Sequence, residues 1–410
     1  MIRSVLRVLA GLALLRMALK PRRPHLSDAD TGPRSSSRSP DAISIAWRRG
    51  LRTGIVVFAC GLATIGGIVA VSGVIPLKAS SGHWAITQWL LEFGKRRSVV
   101  THTIGVEAPD DLDDPAMVMR GAAHYELGCR PCHGSPDLPR PPVVEQMTPV
   151  PPYLPEVLGR WDPEEVFYIV KHGLKFTGMP AWPATARDDE VWAMTAFLEA
   201  LPAMNADQYR RLARGGAQAG VGETLLDDLA RPVAPLSIVE ICSRCHGADG
   251  RGRLPGAFPT IAGQRPDYLY KSLQAFVDGR RSSGIMATVV TGLPSAILRD
   301  AADFYGGLPG LGSAAVISPG RLPGGEIAAH GIPARDVPAC SKCHGPGSHE
   351  RNPTYPNLAG QDAAYIVQQL ELLKAGVRGG TEFEHVMRKV AANLTAQDIR
   401  DVAQYYSSID

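Results

Sequence analysis

One pattern of five residues, Cys-x-x-Cys-His, occurs three times in the chain. Two thiols three positions apart on a turn of helix can each form a thioether with a haem vinyl group, and the adjoining His then lies beneath the iron as proximal ligand. The spacing therefore predicts three covalently bound haem c groups. The attachment thiols are Cys129, Cys132, Cys242, Cys245, Cys340 and Cys343, and the proximal iron ligands are His133, His246 and His344.

The cysteine count argues against other uses of these residues. Six of the seven Cys belong to the three motifs, and Cys60 lies alone in an apolar run, so no pair remains for a structural disulfide. A zinc site or a thioredoxin-like redox pair is the alternative interpretation. Zinc would need a second pair of thiols or imidazoles near each motif, and the sequence has none. No dinucleotide-binding glycine motif or Ser/His/Asp grouping is recognisable, so we expect no catalytic residues.

An electron-carrying haem also needs a second axial ligand, usually Met or His. Met286 is the only Met between residues 205 and 386, and Met387 is the only Met after His344. We predict that both lie in loops between helices and bind the iron. The alternatives are that they fill core space, as Met often does, or that His385 replaces Met387.

Around the first motif we predict Met179 as the axial ligand. It lies 46 residues past His133, in a Gly-Met-Pro turn. Of the other two methionines, one follows His133 by only 14 residues, too few to pass comfortably round the haem, and the other is on the apolar face of a predicted helix. Two histidines are weaker rivals. The rival residues are Met147, Met194, His124 and His172.

The second and third motifs belong to two copies of one domain. The block Phe-Pro-Thr-Ile-Ala-Gly-Gln that starts at Phe258 matches Tyr-Pro-Asn-Leu-Ala-Gly-Gln at Tyr355, 97 positions later. Each block leads into apolar residues at helical spacing. An internal repeat of this kind indicates duplicated domains, which we place at residues 236–310 and 311–410.

The first motif lies in a separate domain, predicted at residues 109–204. Asp114 followed by Pro115 is a typical start for the helix that leads into the motif. Residues 205–235 are rich in Ala, Gly, Arg and Asp, and we predict a linker there that is partly helical.

A membrane anchor is predicted at residues 54–77, which carry no charge and are long enough to cross a hydrocarbon layer of roughly 30 Å. A buried core helix is the alternative. Residues 1–52 hold 11 Lys/Arg and 3 Asp/Glu, whereas residues 101–410 carry a net charge of −8. The positive-inside rule therefore places a basic tail, residues 1–53, in the cytoplasm, and the haem domains in the periplasm beside the bacterial inner membrane.

Residues 78–108 contain two Trp beside bulky aliphatic residues and a basic cluster. This suits either a helix in the membrane interface or one packed on the first haem domain. Residues 1–20 resemble a signal peptide, but charges interrupt the apolar run and no cleavage site follows. Residues 21–50 are rich in Pro, Ser and Arg, and we predict disorder there.

Together, the motifs and the later Met residues resemble class I cytochromes c over roughly residues 109–410. The last two domains look like the halves of dihaem cytochromes of the c-four kind. The first domain, with Thr-Gly-Met-Pro-Ala-Trp at 177–182, is similar to cytochrome subunits of membrane-bound dehydrogenases and haem-copper oxidases. The resemblance implies an all-α protein, with three small class I domains in tandem after a single N-terminal transmembrane helix.

The resemblance also implies that proline carbonyls accept a hydrogen bond from each proximal His. These would be Pro259 and Pro356, with Pro151 or Pro152 in the first domain. One departure from the family concerns Met286, which follows Arg281 after only four residues, where such families often have a longer run.

These features lead us to expect a membrane-anchored trihaem cytochrome that passes electrons from a quinol-oxidising complex or dehydrogenase to a terminal oxidase. We expect redox proteins with basic patches as partners, and no nucleic acid. The alternative is the cytochrome subunit of a membrane-bound alcohol or sugar-acid dehydrogenase that delivers electrons to quinone. A third possibility, a catalytic haem as in peroxidases, requires an open iron site.

Overall fold

The structure, a computed structural model, describes residues 40–75, 78–215, 236–311, 322–345 and 351–409. These residues form α-helices, short 3₁₀ turns and loops, with no β-strand among them. The predicted all-α class is therefore confirmed. The chain divides into two units, Met1–Pro76 and Leu77–Asp410. The predictions made for residues 1–39 lie outside the described residues.

The first unit contains helix α1, Pro40–Ser72. Within its candidate membrane span, Trp47–Ser72, the uncharged residues 53–72 are at 1.5 Å per residue about 30 Å long, which is enough to cross the hydrocarbon layer. The helix starts within the segment predicted to be disordered and ends before Leu77. Gly73 follows with a φ of +66°, a left-handed conformation that commonly ends helices.

The second unit begins with the helices of the first haem domain, which surround Cys129. In this domain, the core between the helices contains the buried rings of Tyr125, Phe197 and Tyr209. The helices are α2 (Ala85–His102), α3 (Pro115–Gly128), α4 (Arg130–His133), α5 (Leu154–Val157), α6 (Pro163–His172), α7 (Asp188–Ala200) and α8 (Ala206–Arg214).

Helix α3 delivers the chain into the first motif. As predicted, Asp114 caps it, since the carboxylate accepts a hydrogen bond from Ala116 N at 3.1 Å. A Cβ on Gly121 would lie 2.2 Å from Ala193 O on α7, so a glycine is needed where these two helices cross. This close crossing fixes the helix that carries the motif.

Helix α8 lies within residues 205–235, the predicted linker. It buries Tyr209 and Ala213 against the first domain, and the Tyr209 hydroxyl donates a hydrogen bond to Glu126 at 2.7 Å. Arg214 forms an ion pair with Glu126 at 2.9 Å. The start of this segment is therefore packed on the first domain, and residues 216–235 lie outside the described residues.

The two halves of helix α2 have different surroundings. In the C-terminal half, Val99 is buried and the guanidinium of Arg96 lies 5.6 Å from the centre of the Trp161 ring. In the N-terminal half, Trp89 and Phe93 stack on each other and are 59 % and 55 % exposed. The helix thus packs on the first domain at one end and presents apolar side chains to solvent at the other.

The second and third domains share one order of elements: a motif helix, a long helix, a short helix that carries a Met, and a closing helix. In the third domain, a Cβ on Gly324 would lie 2.0 Å from Asp401 O, which repeats the close helix crossing of the first domain. The helices are α9 (Leu236–His246), α10 (Pro266–Val277), α11 (Gly284–Val290), α12 (Ser295–Gly307), α13 (Pro323–His330), α14 (Ser341–His344), α15 (Ala363–Lys374), α16 (Glu384–Ala392) and α17 (Ala396–Ser407).

The first domain packs directly on the second. Ala116 and Ala123 on one face of α3 form a buried cluster with Ala257 and Phe258. Cys245 of the second motif packs against the same cluster. Helix α3, which leads into the first motif, therefore lies against the second domain close to the second motif.

Candidate haem sites

Each motif ends in the same local structure. The His of each motif is followed by a glycine with a φ of +70°, +79° or +80° in chain order, which ends the motif helix without strain. A Tyr hydroxyl donates a hydrogen bond to the carbonyl of that glycine, over 2.7, 3.4 and 2.8 Å. The pairs are Tyr125 with Gly134, Tyr305 with Gly247 and Tyr406 with Gly345.

In the first domain this Tyr comes from the helix that precedes the motif, whereas in the other two it comes from the closing helix. The first domain therefore positions its motif in a different way. This agrees with the repeat in the sequence, which links the second domain to the third only.

Proline carbonyls orient all three proximal imidazoles. A carbonyl oxygen only accepts hydrogen bonds, so each His Nδ1 carries a proton and each Nε2 lone pair is available to a metal. Pro152 rather than Pro151 has this role in the first domain. The Nδ1 to oxygen distances are 2.9 Å for His133 with Pro152, 3.2 Å for His246 with Pro259 and 2.9 Å for His344 with Pro356.

The protonation states of the proximal imidazoles suit binding to iron. Burial lowers the pKa of His133, His246 and His344, which favours the neutral imidazole that binds iron. Burial also raises the pKa of Cys242 and Cys245 to about 11, so these thiols are neutral at pH 7 when no group is bound to them. Within the described ranges, no group of three or more His, Cys, Asp or Glu could hold a metal ion.

One continuous cavity, lined mainly by apolar side chains, connects the second and third domains. The thiols and imidazoles of both motifs line it, and so do Met286 and Met387. The prediction that these two Met lie in loops was wrong, because they lie on the short helices α11 and α16. Ser283 starts α11, since its hydroxyl accepts a hydrogen bond from Met286 N at 3.0 Å. The rival His385 is exposed and does not line this cavity.

The predicted ligand of the first domain, Met179, lies in a closed turn between α6 and α7. Its N–H donates to Thr177 Oγ1 at 3.1 Å, and its carbonyl accepts from Leu174 N at 3.2 Å. The terminal methyl of Met147 packs against the same turn, only 2.4 Å from where a Cβ on Gly178 would lie. The structure therefore brings two of the candidate methionines together.

The other rivals in the first domain have different surroundings. Met194 is fully buried in the core, as its position on the apolar face of a helix predicts. His172 is exposed, with its ring 4.7 Å from that of Tyr168. His124 is buried, its ring lies 4.9 Å from that of Trp182, and its Nδ1 has no hydrogen-bond partner in the described part of the chain.

Two arginines that line the cavity were missed by the sequence analysis. Arg281 donates to the Tyr365 hydroxyl at 3.0 Å, and Arg378 donates to the Tyr268 hydroxyl at 3.4 Å. Neither arginine has a carboxylate partner among the described residues. The cost of burying a guanidinium group is offset by a nearby anion, and the propionates of haem would supply one at each site. The residues present therefore fit haem.

A sequence signal for these arginines did exist. Arg281 and Arg378 are 97 positions apart, and so are Tyr268 and Tyr365, which is the same offset as the matched proline blocks. Comparison of the two copies beyond those blocks would have singled out all four residues. Their contact across the domain boundary required the structure.

Two families match separate parts of the chain. Residues 116–198 match the family described as cytochrome c oxidase, cbb3-type, subunit III. Residues 237–296 and 337–410 match the family described as cytochrome c. The matched ranges contain all three motifs.

Individual relatives agree with these matches. Cytochrome c-552 of Acidithiobacillus ferridurans is 34 % identical over 203 residues, which is 48 % of this chain and 84 % of that protein. The thiosulfate dehydrogenase electron acceptor of Thiomonas intermedia is 34 % identical over 169 residues, 41 % of this chain and 77 % of that protein. Cytochrome c4 of Pseudomonas aeruginosa is 32 % identical over 175 residues, 41 % of this chain and 84 % of that protein.

Two of these relatives are cytochromes by name, and the third is named as an electron acceptor. Electron transfer, rather than catalysis on a substrate, is the activity to which they point. The chain belongs to the multihaem class I c-type cytochromes.

Proposed function

We propose that the protein is a membrane-anchored electron carrier with three covalently bound haems, working in a respiratory chain towards a terminal oxidase. The observation that carries this proposal is the threefold recurrence of one site, in which a proline carbonyl orients the His of a Cys-x-x-Cys-His motif. All three sites lie in one unit, Leu77–Asp410, and two of them share a cavity. Repeated carrier sites in one packed unit suit stepwise electron transfer.

When bound, haem supplies one-electron oxidation and reduction without a change in substrate bonds. In this proposal the six motif cysteines would attach the three haems. The three imidazoles, each held by a hydrogen bond from Nδ1 to a proline carbonyl, would present Nε2 to the iron. Met179, Met286 and Met387 would each give one iron its second ligand. Because His/Met ligation raises the potential relative to ligation by two His, such sites suit a donor to an oxidase.

Two comparisons support the proposed partners. The Thiomonas relative is named as the electron acceptor of thiosulfate dehydrogenase, which supports a substrate dehydrogenase as donor. The match of residues 116–198 to an oxidase subunit supports a haem-copper oxidase as acceptor. The net charge of −8 over residues 101–410 favours partners with basic docking surfaces, and association that weakens as salt is added.

The proposed location is the bacterial inner membrane, with haem domains in the periplasm. Helix α1 supplies a segment of sufficient length and hydropathy, with Arg48, Arg49 and Arg52 near its start. This arrangement follows the positive-inside rule. Protease added from the periplasmic side should digest the haem domains and spare the basic tail, and the opposite pattern would overturn the proposed topology.

The function is tested with the full chain in lipid nanodiscs. Intact mass should show three haems, and the chemically reduced protein should be re-oxidised by oxidase-containing membranes in a cyanide-sensitive reaction. Fewer than three haems would contradict the trihaem assignment. Reduction of quinone by the protein together with a co-purifying dehydrogenase, without oxidase activity, would favour the alternative of a dehydrogenase subunit.

A further inference from the structure

The segment that leads into Met286 is bound by a carboxylate of the first domain. Glu190 on α7 accepts a hydrogen bond from the Ser283 hydroxyl at 2.5 Å and another from Gly284 N at 2.6 Å. The Glu190 side chain is buried. These contacts come two and three residues before Met286, at the start of the short helix that carries it.

The same carboxylate is fixed within the first domain. Trp182 Nε1 donates to Glu190 at 3.1 Å, and Arg187 Nη1 forms an ion pair with it at 3.1 Å. Trp182 lies three residues after Met179, in the segment that follows the Met179 turn. Arg187 also donates to Ser282 O at 2.6 Å. Glu190 thus connects the segments next to two of the proposed axial ligands.

The lengths of two equivalent segments in the second and third domains give an independent argument for the importance of this contact. Met286 and Met387 each precede a leucine by seven residues, so they occupy equivalent places relative to the closing helix. Four residues separate Arg281 from Met286, but eight separate Arg378 from Met387. The segment that leads into Met286 is therefore four residues shorter than the one that leads into Met387. The shorter segment is the one that contacts the first domain.

The fit at this contact leaves no space for a larger side chain. A Cβ on Gly284 would lie 2.3 Å from Trp182 Nε1. Ile285 packs against the core of the first domain. The first domain therefore contacts the backbone of Gly284 and the side chains of Ser283 and Ile285, just before Met286.

We propose that Glu190 is a positioning residue that fixes the Met286 segment, so that the axial ligation of the second haem depends on the first domain. This inference rests on the proposed function, because it takes Met286 as the ligand of that haem. Each Glu190 oxygen accepts hydrogen bonds from both domains. In Glu190→Gln an amide NH₂ group, which is a donor, replaces one of these oxygens. The two donors that were bound to that oxygen then lose their acceptor and face another donor.

The test uses the full-length holoprotein with Glu190→Gln, read by the thioether-to-iron absorption band and by a spectroelectrochemical titration. We expect loss of one haem's share of the band and a lower midpoint potential for that haem alone, with three haems still attached. Met286→Ala identifies which of the three potentials belongs to the second haem. If Met286→Ala leaves the band intact, the ligand assignment itself is wrong, and this outcome is distinct from failure of the Glu190 proposal.

Two further variants guard against simple misfolding. Gly284→Ala should produce the same spectral change without altering a charge, and Ser283→Ala should produce a smaller one. Ser282→Ala is the matched control, because only the backbone of Ser282 takes part in the contact, and it should leave the spectrum unchanged. A Glu190→Gln protein that keeps the full band and all three potentials, or in which the three haems change equally, would overturn the proposal.

Discussion

Gln264 and Gln361 make the same pair of hydrogen bonds in opposite directions across the boundary between the second and third domains. Gln264 accepts from Asn357 N at 2.8 Å and donates to Asn357 O at 3.0 Å. Gln361 accepts from Thr260 N at 3.0 Å and donates to Thr260 O at 2.8 Å. Since the two glutamines and their two partners are each 97 positions apart, the boundary has approximate twofold symmetry.

This symmetry predicts equal effects for Gln264→Ala and Gln361→Ala. Each glutamine oxygen also accepts from the N–H of the next residue, Arg265 or Asp362. Each change therefore leaves two backbone N–H groups and one carbonyl without their partner, which should cost about 1–3 kcal/mol of unfolding free energy for each unpaired group that stays buried. Chemical denaturation of the holoprotein measures the loss. Gln404→Ala, at an exposed position on α17, is the control. A large effect for one glutamine and none for the other would contradict the symmetric boundary.

Methionine replacement should remove one axial bond at a time. Met179→Ala, Met286→Ala and Met387→Ala are each expected to abolish one third of the thioether-to-iron absorption band, because each sulfur serves one haem. The band is measured in the oxidised protein at constant haem content. Met147→Ala is the matched control in the first domain, because Met147 packs against the Met179 turn. Loss of band in Met147→Ala, with none in Met179→Ala, would reverse the assignment.

The arginines at the shared cavity should raise the potentials of the two haems beside them. A nearby positive charge stabilises the reduced form, which carries one electron more, so Arg281→Gln and Arg378→Gln should each lower a midpoint potential by tens of millivolts. For one electron, about 59 mV corresponds to about 1.4 kcal/mol. Spectroelectrochemical titration measures the change.

Arg280→Gln is the control for this experiment. Arg280 is the sequence neighbour of Arg281, but it is exposed and pairs with Asp278 at 2.8 Å. Its replacement should therefore change no potential by more than a few millivolts, since solvent screens an exposed charge. Equal shifts in the control and in Arg281→Gln would refute a local effect at the cavity.

The exposed half of helix α2 should contact lipid when the full chain is in a membrane. Trp84, Trp89 and Phe93 are all more than half exposed, and such rings favour the membrane interface. Photoactivatable lipids in nanodiscs should therefore label residues 84–93 and leave α12 of the second domain unlabelled. The double variant Trp89→Glu/Phe93→Glu should reduce the label. Equal labelling of both helices, or none on α2, would refute this contact.

The motif chemistry was predictable because it depends on residues close in sequence. Cys129 to His133 span one turn of helix, and the pattern of thiols and imidazole indicates haem without any knowledge of the fold. The N-cap of α3 at Asp114 was equally local. The apolar helix α1 was recognised from its composition, but its end was not, because the left-handed Gly73 stops it before the apolar run is finished.

The contacts between domains were not predictable in this way. Glu190 and Ser283 are 93 residues apart, and neither belongs to a recognisable motif. The shortened run before Met286 was visible in the sequence, but the domain that contacts it was not. Likewise, Met286 and Met387 were expected in loops, because hydrophobic periodicity over seven to nine residues is too short to reveal a helix.

The approximate twofold symmetry has a consequence for encounters with soluble proteins. Twofold symmetry on its own would make the surfaces beside Met286 and beside Met387 equivalent. In this chain the first domain covers Ser283 and Gly284 on one of them, while His385 and Val386 on the other are exposed. A protein partner that recognises this kind of surface would therefore find it beside Met387 and not beside Met286.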